Sequence, residues 1–438
     1  MRRILTESEV CFDLNDTSIV YRILVKHHIA VKGYPLYPLF GNPYKNYILE
    51  SVAILSDFRR NKNFIPIQKK IIIVGGGLAG LITSIRLARW NIACTVIEKK
   101  SYPFHRVCGE YISNETECFL RQEGLYPDSF KPPQINQFQL SAVHGKSTTL
   151  PLDMGGFGIS RYVFDHFLYE KAKQAGVEFF LDTEVESIQL HQDEFEVRTS
   201  QATLTAALVI GAFGKRSKLD AQLQRNFFRK RSPYVGVKYH IRTQHPSNLI
   251  ALHNFRGGYC GISNIEEGKT NLCYLTDRDN IKKYKSIREM EENILFENPH
   301  LKSIFTSSEF LFEKPETINE ISFETKEPVW NHILMTGDAA GMITPLCGNG
   351  MAMAIHSAKI LSDSIKLYTE KKILSRQQLE REYTHQWSKA FARRLWIGRQ
   401  IQNRLFGSEF TSNLAVNLAI YSKPIATAIV KNTHGESF

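Results

Sequence analysis

The sequence predicts an α/β fold: a Rossmann-type domain of parallel strands and helices, with an inserted β-sheet region and a helical C-terminal region. Three patterns support this prediction. Residues 69–74 are two lysines and a short, continuous apolar run, which leads into a glycine-rich turn and a helical pattern. Residues 234–275 contain strand-like runs separated by glycine turns. Apolar residues recur every four positions over residues 379–395, as in an amphipathic helix.

The composition is that of a globular protein. The chain has 438 residues, 43% of them hydrophobic and 23% charged, which excludes disordered, collagen-like and coiled-coil proteins. The net charge of +11 is compatible with a nucleic acid, an anionic membrane or an anionic cofactor, and selects none of them. Seven scattered cysteines without zinc-site spacing indicate free thiols and no metal site. Without an apolar run of about 18 residues, we expect a soluble, cytoplasmic protein.

The N-terminal segment, residues 1–66, differs from the rest of the chain. Residues 1–70 hold eleven Lys and Arg residues against six acidic ones, and they lack the apolar core of a signal peptide. One interpretation is a basic arm that binds a partner or a membrane. The favoured interpretation is a poorly packed extension without a function of its own.

The glycine-rich turn has the spacing of a dinucleotide-binding motif. Gly75 permits a tight turn, Gly77 lets the backbone approach a pyrophosphate, and Gly80 lets the helix pack on the strand. A second strand ends at Glu98, close to the position from which an acid reaches a ribose hydroxyl. The helix N-terminus would offer amides to the phosphates. The combination of strand, turn, helix and acid predicts a bound dinucleotide.

A second glycine-flanked block distinguishes FAD from NAD. Another apolar strand, residues 333–336, runs into Asp338, and residues 345–350 then precede a helix of small and apolar residues. A carboxylate at a strand end can bind a ribityl hydroxyl, and the amides of the helix N-terminus can stabilise a reduced flavin ring. The alternative role for Asp338 is a helix cap. A plain NAD dehydrogenase leaves this block unexplained.

Residues 333–350 resemble the second FAD motif of the p-hydroxybenzoate hydroxylase clan. The Pro-x-x-Gly-Asn-Gly run at 345–350, together with Pro-Phe-His-Arg-Val-Cys-Gly-Glu at 103–110, looks most like the geranylgeranyl reductase group of that clan. The resemblance covers roughly residues 69–365 and implies a glutathione-reductase-like FAD-binding domain. It also implies that Arg161 reaches the FAD pyrophosphate and that the strand near Val185 contacts the adenine through its backbone. From the sequence, Arg161 can equally pair with Asp165 at i, i+4.

Together, the motifs and the resemblance give a set of expected cofactor-binding residues: Gly75, Gly77, Leu78, Ala79, Gly80, Glu98, Lys99, Arg106, Gly109, Arg161, Val185, Asp338, Pro345, Gly348, Asn349 and Gly350. No hydrolase or metalloenzyme motif is visible in the sequence. The flavin itself would carry the chemistry. Cys108 and Glu110 are weak catalytic candidates, since either could donate a proton to a reduced double bond or merely shape the loop. Tyr259 and Cys260 are candidates for facing the substrate.

One position departs from the clan. The clan usually has Gly-Ala-Asp-Gly where this chain has Gly-Ala-Phe-Gly, so that Phe213 replaces an aspartate tied to FAD and, in the hydroxylases, to reduced nicotinamide nucleotide. The sequence therefore does not identify the reductant. Lys215 and Arg216, which follow, could hold a phosphate or could be plain solvated charges.

The predicted domain organisation alternates between the two sheets. We expect an extension at 1–66, FAD-binding segments at 67–130, 156–225 and 326–368, substrate-domain strands at 131–155 and 226–325, and a helical region at 369–438. The last region is predicted to cover the substrate pocket. Alternatively, its basic and apolar residues dock on a membrane that holds an apolar substrate.

The predicted function is that of an FAD-dependent oxidoreductase, with NADPH or NADH as reductant, acting on a hydrophobic prenyl-, polyketide- or aromatic-type molecule. Among the possible reactions, the reduction of C=C bonds, as in geranylgeranyl reductases, is the main prediction. The alternatives are an O₂-dependent flavin monooxygenase and a flavin-binding protein without reductase activity of its own. We expect no nucleic-acid partner, a monomer or homodimer, and at most a peripheral contact with a membrane.

Overall fold

Two β-sheets organise the part of the chain that the computed structural model describes, which is residues 67–230, 232–319, 321–344, 348–405, 408–422 and 435–438. The predicted extension at 1–66 and the predicted cofactor residue Pro345 lie outside these ranges. The strands are β1 (Ile67–Val74), β2 (Thr95–Ile97), β3 (Tyr111–Ser113), β4 (Gln134–Ser141), β5 (Ser147–Gly158), β6 (Glu178–Phe180), β7 (Val185–His191), β8 (Glu194–Thr199), β9 (Thr203–Gly211), β10 (Tyr234–Arg242), β11 (Leu249–Phe255), β12 (Gly258–Asn264), β13 (Thr270–Asp277), β14 (Glu309–Phe310), β15 (Glu316–Asn319), β16 (Val329–Trp330) and β17 (Ile333–Met335).

The α-helices alternate with these strands and then dominate the end of the chain. They are α1 (Leu78–Arg89), α2 (Glu117–Gln122), α3 (Arg161–Gln174), α4 (Lys218–Gln222), α5 (Arg278–Lys283), α6 (Ile287–Ile294), α7 (Pro299–Ser307), α8 (Gly350–Thr369), α9 (Arg376–Leu405) and α10 (Glu409–Tyr421).

The first sheet has the strand order β16-β17-β9-β1-β2-β6, with the β7–β8 hairpin joined to β9. The pairs β17–β9, β9–β1, β1–β2 and β2–β6 are parallel. Residues 71–74 of β1 are buried and share one hydrophobic core with α1, α8 and α9, which explains their continuous apolar run. This arrangement confirms the predicted Rossmann-type domain. Because the carboxyl ends of parallel strands meet at one edge, the segments that follow β1, β2 and β17 converge there.

The second sheet has the order β14-β10-β13-β12-β11-β4-β5-β3, with β15 also paired to β10. Its pairs are antiparallel except β4–β11. One face packs on α6 and α7 through a buried cluster that includes Met290 and Phe305. A second buried cluster lies on the other face and includes Leu252, Tyr259 and Leu275. The predicted substrate-domain strands lie in this sheet.

The helical end of the chain packs on both layers. The residues that recur every four positions in α9 are buried in the core of the first sheet, as the helical periodicity predicts: Leu379, Tyr383, Trp387, Phe391 and Leu395. The shorter α10 packs on β4 and β5. Within the described ranges, no helix combines the length and the apolar character that crossing a bilayer requires.

Candidate cofactor and active site

A cavity of about 800 Å³ extends from the carboxyl edge of the first sheet to one face of the second. Most of the predicted site residues line it: Gly75, Gly77, Leu78, Ala79, Glu98, Lys99, Arg106, Cys108, Gly109, Glu110, Arg161, Val185, Tyr259, Asp338, Gly348 and Gly350. Gly80, Asn349 and Cys260 are not part of the lining. A cavity of this size is in the range that holds small ligands and cofactors.

The glycine turn between β1 and α1 leaves no room for a side chain at Gly75 or Gly80. Gly75 has a φ of 109°, and a Cβ placed there would collide with the carbonyl oxygen of Ala212. A Cβ on Gly80 would collide with the carbonyl oxygen of Gly75. Gly77 is the N-cap of α1, with no capping side chain and no acidic residue in the first turn. The helix therefore presents free amides and the positive end of its dipole to the cavity.

A chain of carboxylates and guanidinium groups borders this turn. Glu98 Oε2 accepts hydrogen bonds from the amide of Gly76 at 2.9 Å and from Arg106 Nη2 at 3.0 Å. Arg106 Nε also donates to Asp165 Oδ2 at 3.1 Å. Asp165 is buried, and its carboxylate accepts hydrogen bonds from Nε and Nη2 of Arg161 at 2.6 and 2.7 Å. The two arginines are thus fixed beside the glycine turn.

Arg161 makes the i, i+4 pair that its sequence position allows and also lies beside the glycine turn. It pairs with Asp165 at i, i+4, and its Nη2 lies 3.4 Å from where a Cβ on Gly77 would stand. Burial alone would lower the pKa of Arg161, but the Asp165 carboxylate outweighs that effect and raises the pKa above the usual arginine value. Arg161 therefore stays protonated beside the N-terminus of α1, and its pairing with a pyrophosphate stays a prediction.

Asp338 lies at the carboxyl end of β17, in a turn where Gly337 has a φ of 60°. The turn is held by the amide of Gly337, which donates to Ser357 Oγ at 2.9 Å. Asp338 lines the cavity, and no hydrogen bond from the described residues reaches its carboxylate. The N-cap of α8 is Asn349, so that Asp338 does not cap this helix. The carboxylate is available to a ligand hydroxyl.

The N-terminus of the 20-residue helix α8 also faces the cavity. Gly348 and Gly350 line it, and Asn349 makes no side-chain cap hydrogen bond. Asn349 itself is buried, and its Nδ2 donates to Glu115 Oε2 at 3.3 Å. Asn349 therefore anchors the start of α8 on the side away from the cavity, while its two glycine neighbours line the cavity.

Lys326, which the sequence did not reveal, lies outside the cavity lining and holds two segments of the site together. Its Nζ donates to the carbonyl oxygens of Lys215, at 2.7 Å, and of Asp338, at 2.8 Å. Lys326 therefore ties the loop that carries Phe213 to the Asp338 turn. Burial lowers the pKa of Lys326 to about 8, although Asp220 acts in the opposite direction. Phe213 lines the cavity at the position where the clan has an aspartate.

Glu110 is held as a buried anion, which argues against the proton-donor role considered for it. Its carboxylate pairs with Lys238 Nζ at 2.5 Å and His240 Nε2 at 2.7 Å, and it accepts the amide of Arg161 at 2.7 Å. Burial alone would raise the pKa of Glu110, but Lys238 and His240 outweigh it and lower the pKa to about 2. Glu110 instead joins the loop before β3 to β10 and α3. Lys238 and His240 lie two residues apart on one face of β10, and this pattern is the sequence signal that could have indicated them as partners.

Tyr259 and Cys260 face opposite sides of β12. Tyr259 lines the cavity, whereas Cys260 is buried among the residues that pack against α6 and α7. The expectation that Cys260 faces the substrate is therefore wrong, because adjacent residues of a strand point to opposite faces. Burial raises the pKa of Cys260 well above the usual thiol value. Cys273 on β13 and Cys108 line the cavity instead.

Comparison with known proteins identifies the family. The sequence profile of the family described as FAD binding domain matches residues 68–371, which is more than half of the chain. The chain belongs to the FAD binding domain family. Together with its reductase and monooxygenase relatives, this membership makes the protein an FAD-dependent oxidoreductase. The motifs at Gly75–Gly80 and at Asp338 both lie inside the matched range.

The curated relatives of this FAD binding domain protein are distant and diverse. It is 22% identical to conditioned medium factor receptor 1 of Dictyostelium discoideum, over 80% of this chain and 71% of that protein. It is 22% identical to a digeranylgeranylglycerophospholipid reductase of Methanosarcina acetivorans, over 72% and 80% of the two chains. It is 23% identical to a kynurenine 3-monooxygenase of Christiangramia forsetii, over 72% and 77%.

A solved structure shares the fold. A geranylgeranyl bacteriochlorophyll reductase-like protein from Thermoplasma acidophilum superposes with a TM-score of 0.65 at 17% identity, and the match covers 85% of this chain and 97% of that one. The described residues of the present chain also suit FAD on their own geometry. The α1 N-terminus and Arg161 suit a pyrophosphate, the available carboxylate of Asp338 suits a ribityl hydroxyl, and the α8 N-terminus suits the flavin ring.

Proposed function

We propose that this FAD-dependent oxidoreductase reduces C=C bonds of a hydrophobic prenyl-, polyketide- or aromatic-type substrate, with NADPH or NADH as reductant. The observation that carries the proposal is the apolar character of the cavity where it meets the second sheet. Large apolar side chains from the sheet and from the segments before and after β17 line this part: Phe138, Leu152, Ile250, Leu252, Tyr259, Leu275, Ile318, Ile321 and Met342. A surface of this kind favours an apolar substrate over a polar one.

The chain's own residues divide the work of the reaction. Bound FAD supplies hydride-transfer chemistry. The α8 N-terminus presents amides that stabilise negative charge on a ligand beside it. Because Glu110 is ionised and fully engaged, it positions the loop and donates no proton. Cys108 lines the cavity and delivers the proton that must accompany a hydride when a C=C bond is reduced.

Two features support different activities. The similarity to a kynurenine 3-monooxygenase favours an O₂-dependent hydroxylase as the second candidate. Phe213, at the position of an aspartate that the clan ties to reduced nicotinamide nucleotide, favours a flavoprotein that depends on another protein for its electrons. The two alternatives predict different uses of oxygen and of the nicotinamide nucleotides.

The discriminating experiment follows NADPH and NADH oxidation by the FAD-loaded protein with a geranylgeranyl lipid, under air and under nitrogen. A reductase oxidises the nucleotide with substrate in both atmospheres, and mass spectrometry detects a product with two added hydrogens per reduced bond. Consumption of oxygen that requires substrate would establish a monooxygenase instead. Failure of both nucleotides to reduce the flavin in stopped flow, with reduction by dithionite intact, would support the partner-dependent alternative.

A further inference from the structure

The outward face of α10 carries an apolar stripe. Phe410, Leu414 and Tyr421 are 77%, 51% and 81% exposed. Their spacings of four and seven residues place them on one side of the helix, and we call them the α10 stripe. Within the described ranges, eight large apolar residues are exposed, and three of them form this stripe. Exposed apolar side chains grouped in this way mark an interaction surface.

The inward face of the same helix closes the apolar part of the cavity. Ala415 and Val416 belong to one buried cluster with Leu252, Tyr259 and Leu275. The last three residues line the cavity. The α10 helix therefore stands between the outside and the region to which the proposed function assigns the apolar substrate.

Basic groups border the stripe. The exposed Lys146 donates from Nζ to Asn417 Oδ1 at 2.6 Å, and its Nζ lies 6.0 Å from the ring centroid of Tyr421. Glu409, an acidic residue at the start of α10, is paired with His144 at 3.0 Å and lies 3.7 Å from Arg256. Arg256 also lies 3.0 Å from Glu297, so that two carboxylates surround it. Lys146 therefore supplies the positive charge beside the stripe.

We propose that the α10 stripe docks on a lipid surface that carries anionic head groups. Large apolar and aromatic side chains with a lysine beside them are features of a helix that lies in the interface of a bilayer. The position of α10 over the apolar part of the cavity favours a lipid surface over a soluble protein partner. The proposal rests on the proposed function in one respect, which is that the docked helix brings the apolar part of the cavity close to a substrate dissolved in lipid.

The test is co-sedimentation of the full chain with vesicles of phosphatidylcholine, with and without phosphatidylglycerol. We expect binding to the mixed vesicles, weaker binding to pure phosphatidylcholine, and release by salt. The double variant Phe410→Ser/Leu414→Ser should bind the mixed vesicles at least tenfold more weakly, since it loses two of the side chains that would enter the interface. The matched control is Leu374→Ser, because Leu374 is 81% exposed but lies outside the stripe, and it should bind like the wild type.

Several results would overturn the proposal. Wild-type protein that does not bind mixed vesicles, or a double variant that binds them as well as Leu374→Ser does, would show that the stripe does not dock on lipid. A wild-type dimer in size-exclusion chromatography that the double variant converts to a monomer would assign the stripe to a second copy of the chain. Circular dichroism and FAD absorbance of both variants establish that they are folded. Vesicle binding is measured without turnover and tests the docking proposal alone. Reductase activity on a detergent-dispersed substrate needs no vesicle and tests the proposed function separately.

Discussion

Replacement of Asp338 tests the second flavin motif. Asp338→Ala removes from the cavity a carboxylate that accepts no hydrogen bond from the described residues. We assign this carboxylate to a ribityl hydroxyl of FAD. A hydrogen bond to a charged group contributes about 1.5–3 kcal/mol, which corresponds to a roughly tenfold to hundredfold weaker FAD affinity. Asp338→Asn keeps an acceptor but removes the charge, so that its affinity should lie between those of the wild type and the alanine variant.

The assay is titration of the apo-protein with FAD, followed by quenching of flavin fluorescence. Circular dichroism establishes that each apo-variant is folded. A matched control is Asp279→Ala, because Asp279 is 94% exposed and is not part of the cavity lining. The difference in melting temperature between Asp338→Ala and the wild type should shrink in saturating FAD, since ligand binding stabilises the folded state by mass action. Equal FAD affinity in folded Asp338→Ala and wild-type protein would refute the assignment of Asp338.

Two buried groups give further predictions. Lys238→Met should lower the free energy of unfolding by about 3–5 kcal/mol, because it leaves the Glu110 carboxylate buried without its cation. The double variant Lys238→Met/Glu110→Gln should recover part of that loss in urea unfolding, and a fully stable single variant would contradict the ion pair. Glu291 accepts hydrogen bonds from the hydroxyls of Tyr239 and Tyr274. Burial raises the pKa of Glu291 to about 7. Protons are then bound more tightly by the folded state, so that wild-type stability should fall by about 2–4 kcal/mol relative to Glu291→Gln as the pH rises from about 4.5 to 7. A difference that does not change with pH would show that Glu291 does not titrate in this range.

Local patterns were sufficient to predict the first sheet and the turns at its edge. The motif lies within one short stretch of the chain: the apolar run at 71–74, the glycines that follow, and the acid after β2. Its geometry depends on the sterics of neighbouring strands and one helix. Asp338 was predictable for the same reason, because it directly follows a buried strand and is flanked by glycines.

Contacts between distant segments could not be predicted in the same way. Glu110 pairs with Lys238, 128 residues away, and Lys326 binds the carbonyl oxygen of Lys215, 111 residues away. These partners decide that Glu110 is an anion and that the Phe213 loop is tied to the Asp338 turn. Tyr259 and Cys260 were both expected to face the substrate, although adjacent residues of a strand point to opposite faces. Which of the two meets the cavity depends on how the two sheets pack.

The most direct test of the central claim is the visible spectrum of the purified full chain after incubation with FAD and removal of the free cofactor. We expect the folded wild-type protein to retain about one flavin per chain, Asp338→Ala to retain less, and Asp279→Ala to retain as much as the wild type. Folded wild-type protein that retains no flavin absorbance after this treatment would contradict FAD binding by this chain.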